Sequence, residues 1–310
     1  MRLTFYGVRG SIPTPGADFV RYGGNTACVH IELEDGTDIV LDSGTGIRLL
    51  SPYLIQKTTP INILLSHNHW DHIQGFPFFT PIYQKDREIN IFPGQTNLDE
   101  PDQILRQMEG SLFPVPRTAL HANITIQHLD AQQDVFSIGS ATIKRVPMNH
   151  PGKGSAYCIE ADGYKVAYIT DNELYPPYKK ETDFQTFATF ASNADLLIHD
   201  AQYMGSDMPA KNGWGHSVAE EAVKLAMASN VKRLALYSHD PERTDDDIDF
   251  VVSHCNDFVL AAESPLHVFA SAEEIGEHTS ELQSHSDLVC RLLLEKKKKK
   301  NKKKKKKRKR

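Results

Sequence analysis

Short apolar runs recur along this chain, and one after another they end on a polar side chain of a metal-binding kind. Asp42 follows DIVL, His67 follows INILLS, and Asn149 with His150 follows ATIKRVPM. Asp171 follows YKVAYIT, His199 and Asp200 close ADLLIHD, and Ser238 with His239 follows VKRLALY. Apolar runs of four to eight residues bounded by turn signals are what buried strands leave in a sequence. The runs ACVHIEL and DIVLDSG flank EDGT, so Asp35-Gly36 supplies hairpin turn chemistry. Helical patterns lie at DEPDQILRQMEG, near 183–192, at SVAEEAVKLAMASN and near 244–254. With neither a short repeat nor a linker in view, the pattern predicts one α/β domain: two sheets packed face to face, with helices outside. If the polar strand ends gather at one edge, they build a site on rigid elements.

The densest of these ends is LLSHNHWDHIQGF, residues 64–76. Burying three histidines and an aspartate for packing alone is costly, because each needs a partner out of water. On an extended loop His67 and His69 can point the same way, whereas Asp71 and His72, at the start of a helix, can face a second point. Zinc takes imidazole nitrogen and carboxylate oxygen at about 2.0–2.2 Å. A metal pair about 3.5–4 Å apart needs two ligand sets. The cluster therefore needs help from elsewhere, and His150, Asp171 and His239 are the candidates. His199 reads as structural, and His30, His121, His128 and His254 as ordinary.

The C-terminus breaks with everything before it. From Ile275 the chain reads IGEHTSELQSHSDLVCRLLLEKKKKKNKKKKKKRKR. A basic arm of this kind can serve nucleic acid or an anionic membrane. Lysine runs, however, are what poly-A gives on translation, and HTSELQSHSDLVCRLLLEKKK resembles a common sequencing adaptor read in frame. The expectation is a domain over 1–274 and a non-native tail over 275–310. Residues 1–274 hold 20 of the 35 Lys+Arg and 36 of the 40 Asp+Glu, so their formal charge is −16 against −5 for the whole chain. The four cysteines (Cys28, Cys158, Cys255, Cys290) have no C-x-x-C spacing and read as lone buried thiols. No apolar run approaches the ~18 residues of a membrane span. The start, MRLTFYGVRGSIPTPG, reads as a strand entering a Gly/Pro loop and not as a signal peptide. A cytoplasmic protein with no membrane contact is expected.

HNHWDH matches the H-x-H-x-D-H motif of the metallo-β-lactamase superfamily, and the chain resembles that family over 1–270. The finer similarity is to its ribonuclease Z and cyclic-nucleotide phosphodiesterase branch, through GVRGSIPTP, RYGGNTACV, LDSGTG, NHPG, TD, LLIHDA, GHS and a final strand-end histidine. The resemblance implies an αββα sandwich of two mixed sheets and two divalent ions, zinc first and manganese as the alternative. It places one ion on His67, His69 and His150 and the other on Asp71, His72 and His239, with Asp171 bridging. Asp42 is implied as the carboxylate that fixes a ligand histidine. His216, opening a helix, is implied as the acid that protonates the leaving oxygen, with Asp71 also among the catalytic residues. Asp200 stands where the branch usually has a glutamate paired with that histidine. The Gly-rich GVRGSIPTPG and YGGNTA lack the phosphate-cradle pattern. They are either tight turns or site-lining loops that bring Arg9 or Asn25 to a phosphate.

Metal-assisted hydrolysis follows, with a hydroxide held between the metals. Cyclic nucleotides or other small phosphodiesters come first as substrates. Transfer-RNA 3′ processing comes second, since an acidic body forgoes the counterion release that dominates nucleic-acid affinity. Lactone or β-lactam hydrolysis comes third, and a metal-binding regulator or redox protein on the same scaffold is the reading of another class. The resemblance also implies a homodimer.

Overall fold

The computed structural model describes residues 1–95, 101–129 and 134–273. The tail expected to be non-native lies outside them. The first sheet runs, in spatial and chain order, β1 (Arg2–Gly7), β2 (Cys28–Glu32), β3 (Asp38–Leu41), β4 (Ile61–Leu64), β5 (Glu88–Phe92) and β6 (Asn123–Ile126). The second runs from β7 (Val135–Ile138) through β8 (Ala141–Pro147), β9 (Ser155–Ala161), β10 (Tyr164–Ile169), β11 (Leu196–Asp200) and β12 (Arg233–Tyr237) to β13 (His267–Ala270). Both are mixed. β1 to β3 and β7 to β10 are antiparallel meanders, while β3 to β6 and β10 to β13 are parallel.

Alternation along the strands shows why the runs are apolar throughout. In β3, Ile39 and Leu41 face the space between the sheets, and Val40 faces out under α1 (Ile47–Leu54). In β10, Val166 and Tyr168 face inward, while Ala167 and Ile169 face α4 (Phe184–Phe190) and α5 (Ala219–Ala228). Strands covered on both faces must be apolar on both. The result is three apolar layers between four layers of structure. α6 (Asp245–Ala261) packs on the second sheet. Thr244 caps it by accepting from Asp247 N–H, and Asp247 reaches back to the Thr244 N–H.

Some helices differ from the sequence pattern. α6 runs to Ala261 and not to about 254. α3 (Gln103–Arg106) is a single turn of the longer expected helix, and part of that stretch lies outside the described residues. α5 begins at Ala219, so His216 does not open a helix but sits in the loop before one. Among the described residues no helix is long and apolar enough to cross a membrane. Cys28, Cys158 and Cys255 are free and buried.

The C-terminal ends of β3, β4, β10, β11 and β12 meet at one edge of the sandwich. Asp42, Asp171 and Ser238, each just past its strand, have φ of 61, 42 and 59°. Non-glycine residues seldom adopt this left-handed conformation. Here it turns the chain at the strand end.

Candidate metal centre

Three of the clustered histidines, His67, His72 and His150, are tied from behind. His67 Nδ1 lies 3.0 Å from Ser66 Oγ, whose own proton goes to Asp42 Oδ2 at 2.8 Å, so His67 donates and its Nε2 keeps a lone pair. His72 Nδ1 donates to Asp42 Oδ2 at 2.9 Å, and His150 Nδ1 to the Gly215 carbonyl at 2.9 Å. Such outer bonds fix the tautomer and aim the free nitrogen. His67 Nε2 is buried and has no hydrogen-bond partner, and His150 Nε2 lies 2.9 Å from His69 Nδ1. Two imidazole nitrogens facing each other, with an orphaned third nearby, form a basic donor set that suits a cation. Burial first, then the neighbouring imidazoles, hold His67 well below its ordinary pKa. Burial takes His150 down to about 4.

Carboxylates supply the second half. Asp171 Oδ1 accepts from Thr170 Oγ1 and Ser238 Oγ, both at 3.0 Å. Its Oδ2 lies 3.1 Å from His72 Nε2, 3.7 Å from His67 Nε2 and 4.0 Å from His150 Nε2. Asp71 Oδ2 lies 3.3 Å from His72 Nε2 and accepts the Ser11 N–H at 2.9 Å, so the first Gly-rich loop holds it. Ligands at about 2.0–2.2 Å around a tetrahedral ion stand about 3.3–3.6 Å apart. The Asp71–His72–Asp171 spacings are close to that. Burial opposes charge on His72 and Asp171 alike, and their mutual attraction outweighs it: the imidazole is raised well above its ordinary value and the carboxyl held well below. Among the described residues, three groups of potential ligand atoms converge: His67–His69–His150, His67–His72–Asp171 and His150–Asp171–His216. Asp42, fully buried, accepts from Ser66 N–H, Ser66 Oγ, His72 and the Tyr168 hydroxyl.

His216 lies beside this cluster, its ring 5.4 Å from that of His150. Its Nδ1 donates to Asp200 Oδ2 at 2.7 Å, and Asp200 also accepts from the Asn172 and Gln202 N–H groups. Burial opposes the charge on His216, but Asp200 and Asp171 outweigh it and raise the imidazole to about 9. Burial raises Asp200 as well. The geometry assigns the proton to the imidazole, because Asp200 already accepts two amide protons. His199 is fully buried and donates to the Asp200 carbonyl at 2.6 Å, a structural role.

Other residues marked from sequence stand apart. His239 is in none of the three converging groups. Its Nε2 donates to the Ser271 carbonyl at 2.9 Å, and burial followed by Arg9 lowers it to about 3. Arg9 is fully buried, donating to the carbonyls of Gly23, Asp240 and Arg243. Asn25 is bound twice by Glu273. Both residues tie the N-terminal loops to the C-terminal half.

Glu173 is the residue that the sequence pattern missed. Only 3% exposed, its carboxylate accepts the N–H groups of Gly213 and Gly215, both at 2.9 Å. It thereby pins the loop whose Gly215 carbonyl aims His150 and which carries His216. Gly215 has φ 90°, and a Cβ there would strike the His150 ring. An acid two residues beyond a strand-end aspartate was the only signal available. Glu173→Gln replaces one acceptor oxygen with a donor that faces an N–H. Zinc affinity in chelator competition should fall about tenfold, the lower end of the effect of residues behind metal ligands. Unchanged affinity would make Glu173 a loop anchor only.

The family described as beta-lactamase superfamily domain matches residues 37–239, well over half of the chain. A ribonuclease Z of Picrophilus torridus is 24% identical over 286 residues, covering 79% of this chain and 87% of that protein. The metallo-β-lactamase fold protein YhfI from Bacillus subtilis superposes with a TM-score of 0.63 at 18% identity, covering 88% of this chain and 97% of that one. Human tRNase Z, short form, superposes with a TM-score of 0.57 at 19% identity, covering 89% and 97%. With the H-x-H-x-D-H residues at a strand end of an αββα sandwich, this chain belongs to the metallo-β-lactamase superfamily, in its ribonuclease Z-like branch.

Proposed function

We propose that the chain is a dinuclear metal-dependent phosphodiesterase acting on small phosphodiesters, cyclic nucleotides first among them. The observation that carries this reading is the buried His216–Asp200 pair, one imidazole away from the ligand cluster. His67, His69 and His150 would hold one ion, and Asp71 and His72 the second with Asp171 between. His239, with its Nε2 on the Ser271 carbonyl, would have only Nδ1 to offer the second ion. Zinc suits this donor set, with manganese the alternative. Such ions supply an activated water and neutralise charge on the phosphoryl oxygens. The chain's own residues do the rest. Asp42 and the Gly215 carbonyl hold the ligand imidazoles in their tautomers. Asp200 keeps the proton of His216 Nδ1 in place, so that Nε2 can give its proton to the departing oxygen. A charged imidazole with an orienting carboxylate is what a general acid requires.

A transfer-RNA 3′ endonuclease is the second reading, favoured by curated relatives named ribonuclease Z. The charge of −16 over residues 1–274 weighs the other way, since it repels a polyanion. Zinc-loaded protein should be offered bis(p-nitrophenyl) phosphate, 3′,5′- and 2′,3′-cyclic nucleotides, and precursor tRNA. Turnover of a cyclic nucleotide above that of tRNA supports the first reading, and the reverse order the second. Turnover of none removes both.

A further inference from the structure

The chain has two tryptophans, both exposed and each within two residues of a histidine of the candidate metal centre. Trp70, 72% exposed, stands between His69 and Asp71 at the start of α2 (Trp70–Ile73). Trp214, 58% exposed, stands two residues before His216, on the loop pinned by Glu173. Tryptophan is on average a highly buried residue, so two exposures at one place need a reason. The ring of His150 lies 4.8 Å from that of His69 and 5.4 Å from that of His216. Trp70 is the chain neighbour of the first of these two and Trp214 stands two residues before the second.

The side near His216 is also charged. Lys211 Nζ lies 4.2 Å from the Trp214 ring centroid and 5.5 Å from that of Tyr203. Tyr203 in turn packs edge-on against His216 at 5.6 Å. An acidic protein thus presents an ammonium and an open indole next to the residue assigned to the leaving group. With Lys211 over one face of Trp214, the exposed part of the ring is available to a second flat group.

We infer that Trp214 is a stacking platform for a nucleobase, with Lys211 drawing in the nucleotide's negative charge. The substrate class is then a small nucleotide phosphodiester and not a phosphodiester at large. Because every base has a π-face, such a platform selects nucleotides without choosing among bases. The inference rests on the phosphodiesterase reading for its kinetic arm, but its binding arm stands apart from catalysis.

With only two tryptophans, Trp70→Phe leaves Trp214 as the sole indole reporter in the full-length, zinc-loaded chain. Adenosine 5′-monophosphate should quench its emission saturably, and ribose 5-phosphate should not. Trp214→Ala should lower kcat/KM for adenosine 3′,5′-cyclic phosphate about 10- to 100-fold, the effect of one stacked base, mainly through KM. Its loss on the abasic analogue, 1-O-methylribose 3′,5′-cyclic phosphate, should be at least tenfold smaller. No quenching, or equal losses on both substrates, overturns the inference. So does a Trp214→Ala chain that changes from dimer to monomer in sedimentation, since the ring is then an interface between copies. Quenching without turnover of any phosphodiester would sink the phosphodiesterase reading and keep the platform.

Discussion

His216→Ala should slow hydrolysis of a cyclic nucleotide by about 10²–10⁴-fold, the usual contribution of a general acid, and slow bis(p-nitrophenyl) phosphate far less. The difference follows from the leaving groups. A ribose hydroxyl is a poor one and needs a proton as the P–O bond breaks, whereas a nitrophenolate departs without it. His216 meets the requirements for giving that proton: it is 7% exposed, holds its charge through Asp200 at 2.7 Å, and lies beside His150 and Asp171. An imidazole raised to about 9 is protonated at neutral pH and loses its proton as pH rises. The poor-leaving-group reaction should therefore decline on the alkaline side, and that limb should vanish in His216→Ala. Bound dications push the midpoint down from 9 by charge repulsion. Asp200→Asn should give a milder form of the same pattern. Because His216 also converges with His150 and Asp171 on one point, metal content is the second readout. Two ions retained in His216→Ala fit an acid, whereas loss of one would make it a ligand.

The fold was legible because its strands are covered on both faces. INILLS, YKVAYIT and ADLLIHD read as buried runs, and their succession gave two sheets under helices, while the meander-plus-parallel order within each sheet is seen only in the structure. The gathering of the candidate site residues was legible for the same reason, since Asp42, His67, Asp171 and Asp200 all sit where a strand stops. What surrounds them was not. The Asp42–Ser66–His67 relay, the Tyr168 hydroxyl on Asp42 and the Glu173 clamp all join residues far apart in the chain. No local pattern carries such a pairing. Left-handed φ at Asp42, Asp171 and Ser238 was equally hidden, because it is imposed by the packed strands and not by glycine. The place of Arg9 stayed open for a related reason: a Gly-rich loop reads alike whether its arginine faces solvent or, as here, the interior.

Asp171 should be the most damaging single position. One of its oxygens is satisfied by Thr170 and Ser238, which leaves the other free to face three imidazoles at 3.1 to 4.0 Å. Among the described residues, Asp171 belongs to one converging group with His67 and His72 and to another with His150 and His216. Asp171→Asn keeps the size and an oxygen for the two hydroxyls, but its amide cannot take the second role. The amide group can instead donate to His72 Nε2, so the fold should survive. Metal content by mass spectrometry should drop from close to two ions per chain to one or fewer. Hydrolysis of every phosphodiester should fall on the order of 10³-fold or more, the several kcal/mol that such an ion supplies. Asp171→Ala should lose as much activity and also some stability, since it leaves Ser238 and Thr170 without their acceptor and His72 without its counter-charge. The pair separates two explanations of a dead enzyme. Loss in both variants, with the asparagine form still folded by circular dichroism, places the defect in metal binding. A folded Asp171→Asn chain that keeps two ions and full activity would refute the bridging assignment and move the centre of the site to His67, His69 and His150 alone.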